Sequence, residues 1–174
     1  MKIELLEAAD HDLVERLADL VNRVYAEAED GLWQDGATRT TASELHGWID
    51  AREIAVATID GRLAGAVRIQ ALSDDTGEFG MLAARPEDRG IGVGRALVAF
   101  AEGQNREHGR RAMQLELLVP RTWRHPSKVF LDGWYRRIGY RVIRRTSVEE
   151  LQPQLALLLA TPCEFAVYEK PLDA

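Results

Sequence analysis

Residues 80–97 set out, in order, a short apolar run, a proline, three closely spaced glycines and an amphipathic stretch, and few architectures accept that order. Met81 to Ala84 is apolar and extended in character, and Pro86 drives Arg85 out of the helical region, so a strand ends there. Gly90, Gly92 and Gly94 then remove three Cβ atoms within five residues, which lets backbone N–H groups approach an anion. A helix starting near Gly92 adds its own unsatisfied amides and the positive end of its dipole. The dipole contributes only about 0.3–1 kcal/mol at an exposed site, so a diphosphate would be held mainly by several charge-assisted amide bonds made together. Arg89 and Arg95 stand ready to add to them.

The letters exclude two other glycine-loop chemistries. A Walker A loop requires Gly-Lys-Ser/Thr, whereas Gly94 is followed by Arg95 and Ala96; the dinucleotide pattern counted from Gly90 fails because Arg95 occupies its third glycine position.

The chain of 174 residues is long enough for one domain, 1–174, with a substantial core. A formal net charge of −6 argues against sequence-independent nucleic-acid binding, which needs basic surface to displace counterions, and favours a cationic substrate. The lone Cys163 has no partner for a disulfide or a zinc site, and the four histidines show no ligand spacing, so no metal is expected. The first residues lack a signal h-region, and no apolar run approaches the roughly 20 residues that span a bilayer. The expectation is a soluble cytoplasmic protein that binds neither membrane nor nucleic acid.

Periodicity supplies the elements. Lys2 to Leu6 reads as a strand; Asp10 or Asp12 caps a helix with Leu13, Leu17, Leu20 and Val24 on one face; Thr41 or Ser43 starts a second with Leu45, Trp48 and Ile49 inward. Glu53 to Ile59 and Arg62 to Gln70 are strands joined by the hairpin signal Asp60-Gly61. Beyond the glycine loop, a helix with Val93, Ala96, Leu97, Phe100 and Ala101 on one face ends near His108-Gly109. Arg111 to Val119 follows as a strand, with Met113, Leu115 and Leu117 on one side and Gln114 and Glu116 on the other. Phe130, Trp134 and Ile138 recur at helical spacing up to Gly139. Tyr140 to Thr146 and Phe165 to Glu169 are the last strands, and Glu149 to Leu159 reads as a helix interrupted or started by Pro153.

Arg89-Gly90-Ile91-Gly92-Val93-Gly94 resembles the acyl-CoA loop of the GNAT superfamily of N-acetyltransferases, Arg/Gln-x-x-Gly-x-Gly/Ala, and the element order is similar to that fold along essentially the whole chain. The resemblance implies an α/β fold: a central mixed, mostly antiparallel sheet with helices on both faces. It also implies acetyl-CoA as acyl donor, lying as an extra pseudo-strand beside Leu82, Ala83 and Ala84, with its pyrophosphate on the amides from Gly90 to Arg95. A second family motif, Asn-x-x-Ala-x-x-Leu-Tyr-x-x-x-Gly-Phe, is matched by Lys128 to Tyr140, most closely at Trp134-Tyr135 and Gly139-Tyr140. Lys128 stands in place of the Asn and Leu131 in place of the Ala, so a CoA contact there falls to Ser127 or Lys128. The family tyrosine protonates the departing CoA thiolate, a role that resemblance gives to Tyr135. The competing reading makes Tyr135 one more core aromatic.

Acetyl transfer to an amine requires a base, because removing the proton of an alkylammonium with pKa near 10.4 costs about 4–5 kcal/mol at pH 7. A family glutamate at the place of Glu78 often serves, and a regular strand puts Glu78 on one face with Gly80, Leu82 and Ala84. Glu116 on the adjacent strand is the competitor. The loop Val119 to Ser127 offers Arg121, Trp123, Arg124 and His125 either as a grip for an anionic part of the acceptor, or as loop packing or a homodimer surface. Trp33 and His46 share that ambiguity on the opposite wall, and Cys163 reads as buried packing, which favours direct transfer in a ternary complex over an acyl-cysteine. The implied activity is acetylation of a primary amine of a small molecule. The alternatives are a non-catalytic acyl-CoA sensor and a protein lysine or N-terminal acetyltransferase.

Overall fold

A computed structural model describes residues 1–172. Its elements follow the order β1 (Lys2–Leu5), α1 (His11–Ala28), α2 (Ala42–Asp50), β2 (Ile54–Ile59), β3 (Arg62–Ala71), β4 (Thr76–Ala84) and a 3-10 turn (Pro86–Asp88). After these come α3 (Val93–Glu107), β5 (Ala112–Pro120), α4 (Pro126–Arg137), β6 (Arg141–Ser147), α5 (Val148–Leu151), α6 (Pro153–Ala156) and β7 (Cys163–Pro171).

Local chemistry sets most boundaries. The Asp10 carboxylate accepts the amide of Leu13 at 2.8 Å and starts α1. Thr41 and Glu44 form a reciprocal capping box that starts α2, satisfying two orphan donors at once. Asp60 and Gly61 both take positive φ, +50° and +74°, the conformation whose twist matches a two-residue hairpin between β2 and β3. The segment 148–159 is two single turns broken at Gln152, since Pro153 has no amide to continue the first.

The seven strands form one sheet in the order β1-β2-β3-β4-β5-β7-β6, antiparallel except for β4 against β5. One apolar layer lies between the sheet and α3, built on Phe79, Leu97, Met113 and Leu115; the other packs Val14, Leu17, Val21 and Leu45 of α1 and α2 on the opposite face. The sequence periods locate both layers, with two shifts. In α1 the buried residues are Val14, Leu17, Ala18, Leu20 and Val21, so Leu17 and Leu20 point inward as expected while Leu13 and Val24 lie at the edge. In α4 the inward residues are Lys128, Leu131, Trp134, Tyr135 and Ile138, while Phe130 is 64% exposed, because the helix meets the sheet on the Lys128–Leu131–Tyr135 side.

Gly65 of β3 has close packing on both sides: a Cβ there would stand 2.7 Å from the Ala83 carbonyl oxygen, 2.8 Å from Val93 Cγ1 and 3.0 Å from Leu97 Cδ1. Because a backbone carbonyl cannot swing aside, Gly65→Ala is expected to cost about 1–3 kcal/mol and to lower Tm by roughly 3–10 °C in thermal unfolding.

Candidate active site

The sheet opens at one seam. β4 and β5 pair only at Thr76–Ala112, Gly77–Met113 and Glu78–Gln114, yet β4 continues to Ala84 and β5 to Pro120. Beyond Glu78 the β4 edge therefore meets no strand, and its peptide groups face a cleft. A bulge deepens the divergence. Ala66 pairs with Ala83 and Arg68 with Gly80, so Val67 alone faces Met81 and Leu82, and Met81 adopts φ +50°. A non-glycine residue in that region costs on the order of 1–3 kcal/mol and belongs to a locally over-determined structure.

The bulge corrects one expectation. Leu82 and Ala84 pack toward the α3 layer, whereas Met81 and Ala83 join the α1–α2 layer. Glu78 pairs across the sheet with Gln70, on the side of Arg68 and the Trp48 ring of α2. An extra residue shifts the two-residue alternation, so Glu78 does not share its face with Leu82 and Ala84.

Two cavities border the seam. The larger, about 380 Å³, is walled by Glu78, Gly80 and Leu82 of β4, Glu116 of β5, and Tyr135 of α4, with α1, α2 and the α5–α6 segment closing it from above. The smaller, about 290 Å³, lies at the end of β4 between Ala84, Arg85, Pro86, Arg89 and Ser127. Ser127, and not Lys128, borders this smaller cavity. Lys128 points into the larger one, where its Nζ donates to Glu29 Oε1 at 2.5 Å, both side chains nearly buried.

The glycine loop forms a set of open donors. Gly90 and Gly92 take φ +88° and +92°, and no atom lies within 4 Å of a Cβ built on either. These two positions favour glycine for conformation, while Gly94 lies inside α3 with its nearest neighbour, Trp134, at 3.9 Å. Among the described residues the amides of Gly90, Gly92, Val93, Gly94 and Arg95 donate to no carbonyl; the first helical bond is that of Ala96 to Gly92. Val93 buries its side chain in the core, Ile91 is exposed, and Arg89 and Arg95 are exposed without an ion pair among the described residues. The two acids at the loop's base are neutralised, Asp88 by Arg85 at 2.6 Å and Glu87 by Arg23 at 3.1 Å.

Glu78 and Glu116 both line the larger cavity, each with an amide donor: Gln70 Nε2 to Glu78 at 2.6 Å and Gln152 Nε2 to Glu116 at 3.0 Å. Burial and then the like charge of Glu116 push the Glu78 carboxyl up to about 7, against the opposing pull of Gln70 and Arg68. Tyr135 is 6% exposed within an aromatic cluster whose Trp134 ring lies at 5.0 Å and Tyr168 ring at 5.9 Å. Burial raises its phenol well above the ordinary value, and its hydroxyl, with no hydrogen-bond partner among the described residues, is not sealed off from the cavity it lines.

Other sequence candidates are occupied elsewhere. His125 is buried as the N-cap of α4, accepting from Ser127 and contacting the Asp30 carbonyl, and Trp123 covers it while donating to Thr161. These two hold the loop down; Arg121 and Arg124 are exposed. Trp33 does line the larger cavity, donating to Glu29 at 2.5 Å, whereas His46 lies on the outer face of α2. Cys163 is buried with its thiol pushed up to about 11 by desolvation, so it carries no thiolate at neutral pH. Tyr25, Glu29, Arg39, Gln70 and Gln152 also stand on the cavity wall, and none of them sits in a spaced motif that would mark it in the sequence.

The sequence profile of the GNAT acetyltransferase domain matches residues 50–142, from the end of α2 to the start of β6. No curated protein sequence matches the chain significantly. Among solved structures, an aminoglycoside 6′-N-acetyltransferase in complex with coenzyme A superposes with a TM-score of 0.75 at 13% identity, covering 100% of this chain and 98% of that one. The yncA protein from Salmonella typhimurium with its cofactor acetyl-CoA gives 0.70 at 17%, over 100% and 95% of the two chains. The ribosomal-protein-alanine N-acetyltransferase from Brucella melitensis gives 0.70 at 16%, over 99% and 100%. At such identities the likeness is one of fold.

Proposed function

The chain belongs to the GNAT acetyltransferase family, and from that premise we propose that it transfers the acetyl group of acetyl-CoA directly to a primary amine of a small molecule, with Glu78 as base and Tyr135 as acid. The observation that carries this reading is the seam: an unpaired β4 edge leads from a loop of free amides to a cavity where Glu78, Glu116 and Tyr135 meet.

The residues present fit acetyl-CoA. Five free amides with Arg89 and Arg95 suit a pyrophosphate, and the β4 edge offers main-chain groups to an amide-bearing arm where a strand would otherwise lie. An arm in that seam delivers its thioester to the larger cavity. Walls from α1, α2, α4 and the α5–α6 segment, around about 380 Å³, favour a small acceptor over a folded polypeptide.

A carboxyl near 7 is matched to its task, since half of it is ionised at neutral pH and it is a far better proton acceptor than an ordinary glutamate. Glu78 takes the ammonium proton, the freed amine attacks the thioester carbonyl, and the Tyr135 hydroxyl donates to the sulfur as the carbon–sulfur bond breaks, while the nitrogen of the adduct releases its second proton, which restores the phenol and leaves a neutral amide. Burial weakens the phenol as an acid, but the departing thiolate sits in the same desolvated place and gains basicity as well.

The test is a pH–rate profile with a defined amine. The active form of Glu78 is the carboxylate, so wild-type kcat/KM rises as pH passes through about 7. Glu116→Gln removes the like charge and moves that rise to lower pH. Glu78→Gln abolishes it, leaving a rate that climbs with hydroxide toward the amine's own pKa and is lowered about 10²–10⁴-fold near neutrality. An unchanged profile in Glu78→Gln would remove Glu78 from the mechanism.

A further inference from the structure

Three cations line the larger cavity: Arg39, Arg68 and Lys128. Two of them have carboxylate partners, Lys128 with Glu29 at 2.5 Å and Arg68 with Glu53 at 2.7 Å. Arg39 has no carboxylate within 4 Å among the described residues; its guanidinium instead stands over the Tyr25 ring, 5.0 Å from the centroid.

The backbone at Arg39 is tied down. Asn22 of α1 accepts the amides of Arg39 at 2.9 Å and Thr40 at 3.0 Å and donates to the Thr40 carbonyl at 3.0 Å, which straps this stretch of the α1–α2 connection to the helix. The capping box of α2 begins at the next residue. The Tyr25 hydroxyl also takes a hydrogen bond from this guanidinium, which leaves the rest of its five N–H donors for a carboxylate, a group it can hold through two parallel bonds.

The charges across the cavity run in opposite senses. Glu78 and Glu116 meet at the seam, where the amine must arrive, while Arg39 reaches the cavity from the connection between α1 and α2. Glu44, the nearest acid on α2, is already held by the Thr41 amide at 2.8 Å and hydroxyl at 3.0 Å. With Glu44 and Glu29 acting on the same guanidinium, the site suits one negative charge better than a phosphate dianion. A polycationic acceptor would meet repulsion at Arg39.

We propose that the acceptor is an amino carboxylate, its ammonium received by Glu78 and Glu116 and its carboxylate by Arg39. This inference rests on the transferase reading, and its test separates the two. The measurement compares kcat/KM for β-alanine, γ-aminobutyrate and ε-aminocaproate, each against the alkylamine of matching length, in wild type, Arg39→Gln and Arg39→Lys. Wild type should prefer at least one amino acid over its alkylamine by about 10–100-fold, the scale of a charge-assisted hydrogen bond, expressed mainly in KM. That ratio should collapse toward unity in Arg39→Gln and recover in part in Arg39→Lys, which restores the charge without the fork. A general loss from misfolding lowers both members of a pair and keeps the ratio. No preference in wild type, or a preference that survives Arg39→Gln, overturns the inference and leaves the transferase reading standing.

Should no amine support thiol release, the transferase reading falls, and calorimetry of the same amino acids with the CoA-loaded protein decides the Arg39 site. Binding that weakens about 10-fold or more in Arg39→Gln sustains it. No binding, or equal binding to both proteins, overturns it.

Discussion

Gly92→Asp should weaken CoA binding by several kcal/mol while leaving the fold intact. Gly92 is the N-cap of α3 at φ +92°, with open space where a Cβ would project and with the free amides of Val93, Gly94 and Arg95 directly after it. Asp is among the residues that best tolerate a left-handed backbone, so the loop can retain its path. Its carboxylate would then occupy the spot where a pyrophosphate meets those amides. One like-charge pair near 4 Å costs about 4 kcal/mol at an effective dielectric constant of 20, and the added side chain also competes for the donors. Calorimetry with CoA measures this loss directly. Wild-type affinity in a folded variant would place the pyrophosphate elsewhere.

Tyr135→Phe should lower kcat by about 10²–10⁴-fold and leave CoA affinity nearly unchanged. The substitution removes one oxygen, and because the Tyr135 hydroxyl has no partner among the described residues, it orphans no buried group. The ring keeps its packing against Phe79, Trp134, Tyr140 and Tyr168. Any loss of turnover therefore reports the missing proton and not a damaged core. Single-turnover kinetics, where chemistry limits the rate, make the comparison clean, and wild-type turnover there would return Tyr135 to the role of a packing aromatic.

Where a function depends on local sequence chemistry, the chain announced it. Pro86, the positive-φ glycines at 90 and 92 and the apolar face of α3 each act over a few residues, so the strand, loop and helix could be placed from the letters alone. The same holds for the hairpin at Asp60-Gly61 and the capping box at Thr41. What depends on tertiary register was hidden. Met81 carries a positive φ that no glycine signals, and the bulge it creates moves Glu78 onto the face opposite Leu82 and Ala84. His125 and Lys128 looked like free functional groups because their partners, Asp30 and Glu29, lie nearly 100 residues away in sequence. Gln70 and Gln152, which hold the two cavity glutamates, are ordinary polar residues until the sheet and the α5–α6 segment bring them in.

Direct transfer between an acetyl thioester and an amine, brought together in the seam between β4 and β5, is the reaction we propose. Its most direct measurement is parallel quantitation of free CoA thiol and N-acetylated product when the purified protein is given acetyl-CoA with and without a primary amine. Direct transfer should give equal amounts of thiol and N-acetyl product, both dependent on the amine. Thiol release that proceeds equally without amine, or CoA binding with no thiol release for any amine, would contradict it.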